Sequence, residues 1–190
     1  MLILASASPR RKELLTQMGL DFSVDPSDCD ESFAISLPPA EMVAALSKAK
    51  AEAVFARHEN DIILAADTVV ALDNEVLGKP TDPADAVRML LRLSGKTHRV
   101  YTGVTVLAKD FAQTFVSDTA VTFTNLTKAE AEAYVATGEP LDKAGAYGVQ
   151  GRGAVFVERI DGDYYTVVGL PVCKTWNVLQ NVKWKMQNVK

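Results

Sequence analysis

The sequence predicts a mixed α/β chain. Three observations carry that reading. Short apolar runs have the length of buried strands, longer stretches show one apolar face with capping residues, and two pairs of β-like segments flank short polar turns. These patterns interleave from end to end, with no internal repeat and no linker-like composition between them. A chain of 190 residues can bury a sizeable core as one domain, or as two lobes around one cleft.

Residues 2–5 form the first apolar run and read as a buried strand. Ser6 to Ser8 is a polar turn, and Pro9 stands where a helix begins, a position at which its missing N–H costs nothing. Leu14, Leu15 and Met18 give that helix its apolar face, and Gly19 stops it. Residues 22–24 read as a second strand, followed by a polar, proline-bearing stretch over 25–39. From Glu41 to about Arg57 the pattern predicts a strong helix with Met42, Val43 and Leu46 on one face. Residues 62–66 read as a buried strand ending at Asp67-Thr68, and residues 69–72 continue extended to a turn at Asp73-Asn74. Asp82 caps a helix from Pro83 to about Leu93, closed by Gly95. Residues 99–107 and 114–123 predict an antiparallel hairpin about Lys109-Asp110. Thr127 and Glu130 have the spacing of a capping box for a helix that ends near Gly138. A glycine-rich segment over 142–153 follows. Residues 154–160 and 164–168 then read as a second hairpin around Asp161-Gly162, and Pro171 to about Trp184 closes the chain as a helix.

Composition narrows the function. The 20 Lys and Arg against 24 Asp and Glu give a net charge of −4, which does not suit wrapping a nucleic acid. Cys29, Cys173, His58 and His98 are too scattered for a zinc site or a disulfide framework. In the opening segment the charges follow a short apolar run, the reverse of a signal peptide, and no run reaches membrane-spanning length. A cytoplasmic protein with no membrane association is the expectation.

Five groups of residues could carry chemistry. Ser6, Arg10 and Arg11 put a hydroxyl and two guanidinium forks at a helix start, where free N–H groups favour an anion. They form a phosphate site or a solvated arginine pair. Asp67 follows a buried strand, the usual place of a functional acid in α/β proteins, where it can activate water or hold a metal. A turn-forming Asp, with Thr68 capping the same turn, is the other reading. Lys79 sits in a tight loop between Gly78 and Pro80, and Lys48 lies near the apolar face of its helix. Each is a phosphate ligand or a surface lysine. Gly145, Gly148, Gly151 and Gly153 permit close backbone approach to a ligand and positive φ, without matching a phosphate-binding loop, or they are a glycine-rich connection between lobes. Within that segment the amide of Gln150 can pair with a base edge. Asp28, Asp30 and Glu31 form an acidic group that either shares a divalent cation with Asp67 or is a solvated loop. Cations and carboxylates without a His or Cys nucleophile suit phosphoryl chemistry better than acyl transfer.

Taken together, the segments 2–11, 66–68, 77–80, 93–95, 142–151 and 168–171 resemble the Maf family over essentially the whole chain. The resemblance implies an α/β fold with a mixed sheet in two lobes flanking a deep cleft, similar to the inosine-triphosphate pyrophosphatases, in a single domain over 1–190. It implies hydrolysis of a nucleoside triphosphate to the monophosphate and pyrophosphate with a divalent metal, Mg²⁺ or Mn²⁺. Asp67 matches the family's general base, and Ser6, Arg10, Arg11, Lys48 and Lys79 match positions lining the triphosphate. Glu31 matches a carboxylate near the metal. Arg10 after Pro9, Thr68 after Asp67, and Gln150 resemble the branch acting on dTTP and UTP, whereas the branch resembling 7-methyl-GTP pyrophosphatases has an aromatic residue after that proline. The family is also linked to division arrest, so a nucleotide-binding regulator of septum formation with incidental hydrolysis is the alternative. The hairpin edges and a family habit of pairing leave a homodimer open.

Overall fold

The computed structural model describes residues 1–188, apart from the side chains of residues 33 and 183–188. Residues 189 and 190, the end of the expected single domain, lie outside the described residues.

The apolar runs form the middle of a seven-stranded mixed sheet. Strand β1 (Leu2–Leu4) is buried at every position, as a strand covered on both faces must be. It runs parallel to β2 (Ser23–Val24) and to β3 (Ile62–Leu72), with Ile3 opposite both Ser23 and Ile63. Helix α1 (Pro9–Gln17) connects β1 to β2, and α2 (Pro39–Phe55) lies between β2 and β3, with prolines in the first turn of both helices. Strand β4 (Glu75–Leu77) returns antiparallel on β3 through Asp73 and Asn74. Their φ values of 52° and 66° are those of a two-residue hairpin turn that favours Asn and Asp. Helix α3 (Pro83–Leu93) is capped by the Asp82 side chain, which accepts from the Asp85 N–H at 2.7 Å. The hairpin of β5 (Thr97–Ala108) and β6 (Phe111–Phe123) and the capping box on α4 (Lys128–Val135) are as the sequence predicts. Strand β7 (Val157–Asp161) closes the order β2-β1-β3-β5-β6-β7, with β4 paired to β3.

Two expectations fail. Asp67 does not end its strand: β3 continues through it to Leu72, because apolar residues flank it on both sides, and only Asp67 and Thr68 interrupt the burial of β3. The second hairpin is absent as well. Residues 152–156 form a 3-10 turn, and α5 (Tyr164–Val168) is helical. Its Tyr, Thr and Val residues favour a strand, but the Asp163 carboxylate accepts from the N–H of Thr166 at 3.0 Å and its hydroxyl at 2.8 Å. That local cap outweighs the propensity. The closing helix α6 is Val172–Asn188.

The chain divides into two compact units. The first comprises Met1–Asp67, Thr102–Ser117 and the chain from Gly169 on. Ile3, Ala5, Ala51, Val54, Ile63 and Ala65 form a core in it. Within this unit α2 presses so closely on β5 that a Cβ at Gly103 would meet the Val43 carbonyl oxygen at 2.2 Å. The second unit comprises Thr68–Tyr101 and Asp118–Val168, with a core that includes Leu90, Leu93, Phe123, Tyr147 and Phe156. His98 is buried there edge-on to Phe123 and Tyr147, with Nε2 2.8 Å from the Tyr147 hydroxyl oxygen. Burial pushes its imidazole down to about 4, so it is neutral near pH 7.

Candidate active site

In the first unit the turn between β1 and α1 is organised by Ser6. Its Oγ accepts from the Ser8 N–H at 3.2 Å and from Arg11 Nη1 at 3.0 Å. Arg11 is held a second time, because its Nε donates to the Gly169 carbonyl at 3.0 Å. The segment 168–171 therefore serves to orient an arginine more than 150 residues away in the chain. Burial lowers the Arg11 pKa, the Asp67 charge opposes that, and neighbouring Arg10 adds to the lowering. A guanidinium remains charged under such shifts. Two cations at a helix N-terminus, with Arg11 half-buried, make a place where an anion is electrostatically favoured.

Beside this lies a carboxylate pair joined by a lysine. Lys50 Nζ donates to Asp67 Oδ1 at 2.5 Å and lies 2.9 Å from Glu31 Oε1. The Lys50 and Asp67 side chains are 13% and 14% exposed, so water screens their contact little, while Glu31 is 56% exposed. Burial opposes the charge on Lys50, but Asp67 and the hydrogen bonds to both carboxylates outweigh it and hold the ammonium above its ordinary value. Both acids also act on Arg11, which makes Ser6, Arg11, Glu31, Lys50 and Asp67 one electrostatic cluster.

Lys50 is the residue that the sequence reading missed. Lys48, expected near the apolar face of α2, is 63% exposed and pairs only loosely with Glu52 at 3.8 Å. The helical register decides between them: Lys50 lies four residues after Leu46 and seven after Val43, on the buried stripe of α2. That spacing could have been read from the sequence. Of the acidic group, Glu31 alone reaches Asp67 through Lys50, whereas Asp28 lies toward Arg57 and Asp30 accepts from Ser32.

The remaining expected residues belong to the second unit. Thr68 follows Asp67 in β3 and is half-buried. Lys79 is exposed in the loop after β4, which is tied down where the Gly78 carbonyl accepts from the Gly145 N–H at 3.0 Å. Gln150 is exposed at the tip of the glycine-rich segment.

The two carboxylates that converge on Lys50 Nζ, Glu31 and Asp67, are the oxygen donors that could hold one small hard cation. Among the described residues no group of three or more His, Cys, Asp or Glu side chains could hold a metal. Small hard cations that need only one or two protein carboxylates do not require such a group.

Residues 1–182 match the family described as Maf, Maf-like protein. The chain belongs to the Maf family. A Moorella thermoacetica relative named dTTP/UTP pyrophosphatase is 56% identical over 180 residues, covering 94% of this chain and 93% of its own. A Bacillus cytotoxicus protein of the same name is 54% identical over 172 residues, 90% of each chain. The solved structure of the Staphylococcus aureus Ham1 protein covers 65% of this chain and 72% of its own at 14% identity and a TM-score of 0.47, a likeness too slight to bear on the Maf cluster.

Proposed function

We propose that this Maf protein hydrolyses dTTP and UTP to the monophosphate and pyrophosphate. The observation that carries the reading is the junction of the helix start bearing Ser6 and Arg11 with the carboxylate pair Asp67 and Glu31 in one charge cluster. An anion site beside a carboxylate that can accept a proton is what water attack on a phosphoanhydride requires. The names of the relatives supply the substrate class.

In this mechanism Arg10, Arg11 and Lys79 spread the charge of the triphosphate, and Ser6 fixes the Arg11 fork. Lys50 holds Asp67 Oδ1, so the water is oriented by the other carboxylate oxygen. Asp67 takes the proton as the water oxygen bonds to the α-phosphorus, the bond from that phosphorus to the bridging oxygen breaks, and pyrophosphate carries the electron pair away. Glu31 and Asp67 would hold a divalent cation, Mg²⁺ or Mn²⁺, whose chemistry is to neutralise charge on the phosphate oxygens. Thr68, beside Asp67, and the Gln150 amide, which can both donate and accept, set the preference for a pyrimidine edge. No described helix is long and apolar enough to cross a membrane. The cytoplasmic nucleotide pool is the proposed setting.

The test is pyrophosphate release from a panel of purine and pyrimidine triphosphates, with and without Mg²⁺ or Mn²⁺. Metal-dependent cleavage of dTTP and UTP is the expected result. Preference for a purine triphosphate would remove the roles given to Arg10, Thr68 and Gln150, and tight binding without turnover would favour a regulator.

A further inference from the structure

The glycine-rich segment is built around a carboxylate that the proposed reaction does not use. Glu139 opens the 3-10 turn Glu139–Asp142 after α4. Its Oε1 accepts from the Tyr134 hydroxyl at 2.9 Å and from the Gly153 N–H at 3.3 Å, and its Oε2 accepts from the Arg152 N–H at 2.9 Å. The Tyr134 hydroxyl accepts in turn from the Gly148 N–H at 3.1 Å, and Lys143 Nζ donates to the Glu139 carbonyl at 2.6 Å.

The glycines make room for Glu139 and the two side chains bonded to it. A Cβ at Gly151 would lie 2.3 Å from Glu139 Oε1, one at Gly153 2.7 Å from the Tyr134 hydroxyl oxygen, and one at Gly148 2.9 Å from Lys143 Cε. Successive backbone N–H groups form a concavity that binds anions, and here the chain supplies its own anion. Burial opposes the Glu139 charge, but the hydrogen bonds from Arg152, Tyr134 and Gly153 outweigh it and hold the carboxyl below its usual range.

We infer that Glu139 is a positioning residue: by holding the N–H groups of Arg152 and Gly153 it fixes the 148–153 loop, and through it sets Gln150 for the pyrimidine base. The inference rests on the reading of Gln150 given above. A neutral Glu139→Gln side chain keeps the size but turns an N–H₂ against one of the backbone donors.

The experiment combines hydrogen exchange with kinetics on Glu139→Gln, on Gly151→Ala, which attacks the same contact from the loop side, and on Gln150→Ala. Expected for the first two is exchange of the 148, 152 and 153 amides faster by about 10-fold or more, with α3 and α4 unchanged. KM for UTP should rise about 10-fold with kcat within about threefold, and the preference for UTP over ATP should fall. Unchanged exchange in both variants, or kcat lost with selectivity intact, would overturn the positioning role. Gln150→Ala tests the underlying reading separately. If it leaves selectivity unaltered while Glu139→Gln loosens the loop, the base-reading role falls and the anchor stands.

Discussion

Replacing Lys50 by Met keeps an unbranched side chain one atom shorter and removes the charge that joins Glu31 to Asp67. At 2.5 Å the contact with Asp67 corresponds to about 7 kcal/mol of Coulomb attraction at an effective dielectric of about 20. The dehydration of both ions offsets most of that. Removing one partner leaves the other carboxylate uncompensated, a loss of about 3–5 kcal/mol where both are fully buried. Asp67 is 14% exposed and Glu31 56%, so solvent recovers part of it and the expected destabilisation is about 1–3 kcal/mol. Activity should suffer more, because the carboxylate proposed to orient water loses its fixed geometry. A fall in kcat/KM of about 10²–10³ is expected, of the size seen when one group is removed from a preorganised site. The companion variant Lys48→Met removes an exposed pair at 3.8 Å, worth less than about 0.5 kcal/mol, and should stay within about twofold of the parent. Steady-state pyrophosphate release and denaturant unfolding of both variants measure these effects. Near-parental turnover in Lys50→Met, or a larger loss in Lys48→Met, would refute the role proposed for Lys50 in holding Asp67.

Arg11→Lys keeps the charge but cannot hold Ser6 Oγ and the Gly169 carbonyl at once, each now at 3.0 Å, so kcat/KM should fall about 10-fold with little change in unfolding midpoint. A double-mutant cycle with Ser6→Ala should be non-additive, and full additivity would separate the two residues. Gly103→Ala puts a methyl group 2.2 Å from the Val43 carbonyl oxygen and should cost about 1–3 kcal/mol in urea unfolding. A neutral result there would mean that α2 rides further from β5 than described. His98 has a depressed folded pKa, about 4 against 6.5, so its share of stability is full above pH 6.5 and is lost as the pH falls toward 4. That share is on the order of 3 kcal/mol. Unfolding free energies measured from pH 7 to 4 should show the loss in the parent and less of it in His98→Phe.

Much of the fold was legible because local chemistry and tertiary packing agree. Asp82 caps α3, Thr127 and Glu130 box α4, and the apolar runs become β1 and β3. Where they disagree the sequence misled. Tyr164 to Val168 has strand composition, but Asp163 nucleates a helix turn, and an Asp three residues before a Thr was the signal available. Asp67 looked like a strand end because polarity interrupts the run, yet the backbone stays extended through it. The site divides in the same way. Ser6 with Arg11 follows from their proximity in the chain, whereas Arg11 and Gly169 stand 158 residues apart in sequence and no local pattern announces their contact. Lys50 was readable from the helical period alone. The roles of Gly148, Gly151 and Gly153 were not, since what they approach is Glu139, Tyr134 and Lys143, which no local pattern ties to them.

The central claim is that Asp67 directs water to the α-phosphorus, and hydrolysis of UTP in ¹⁸O-labelled water followed by mass spectrometry tests it most directly. The account predicts one ¹⁸O in the monophosphate, none in the pyrophosphate, and loss of the labelled product in Asp67→Asn. Label in the pyrophosphate, or undiminished labelling of the monophosphate in Asp67→Asn, would contradict it.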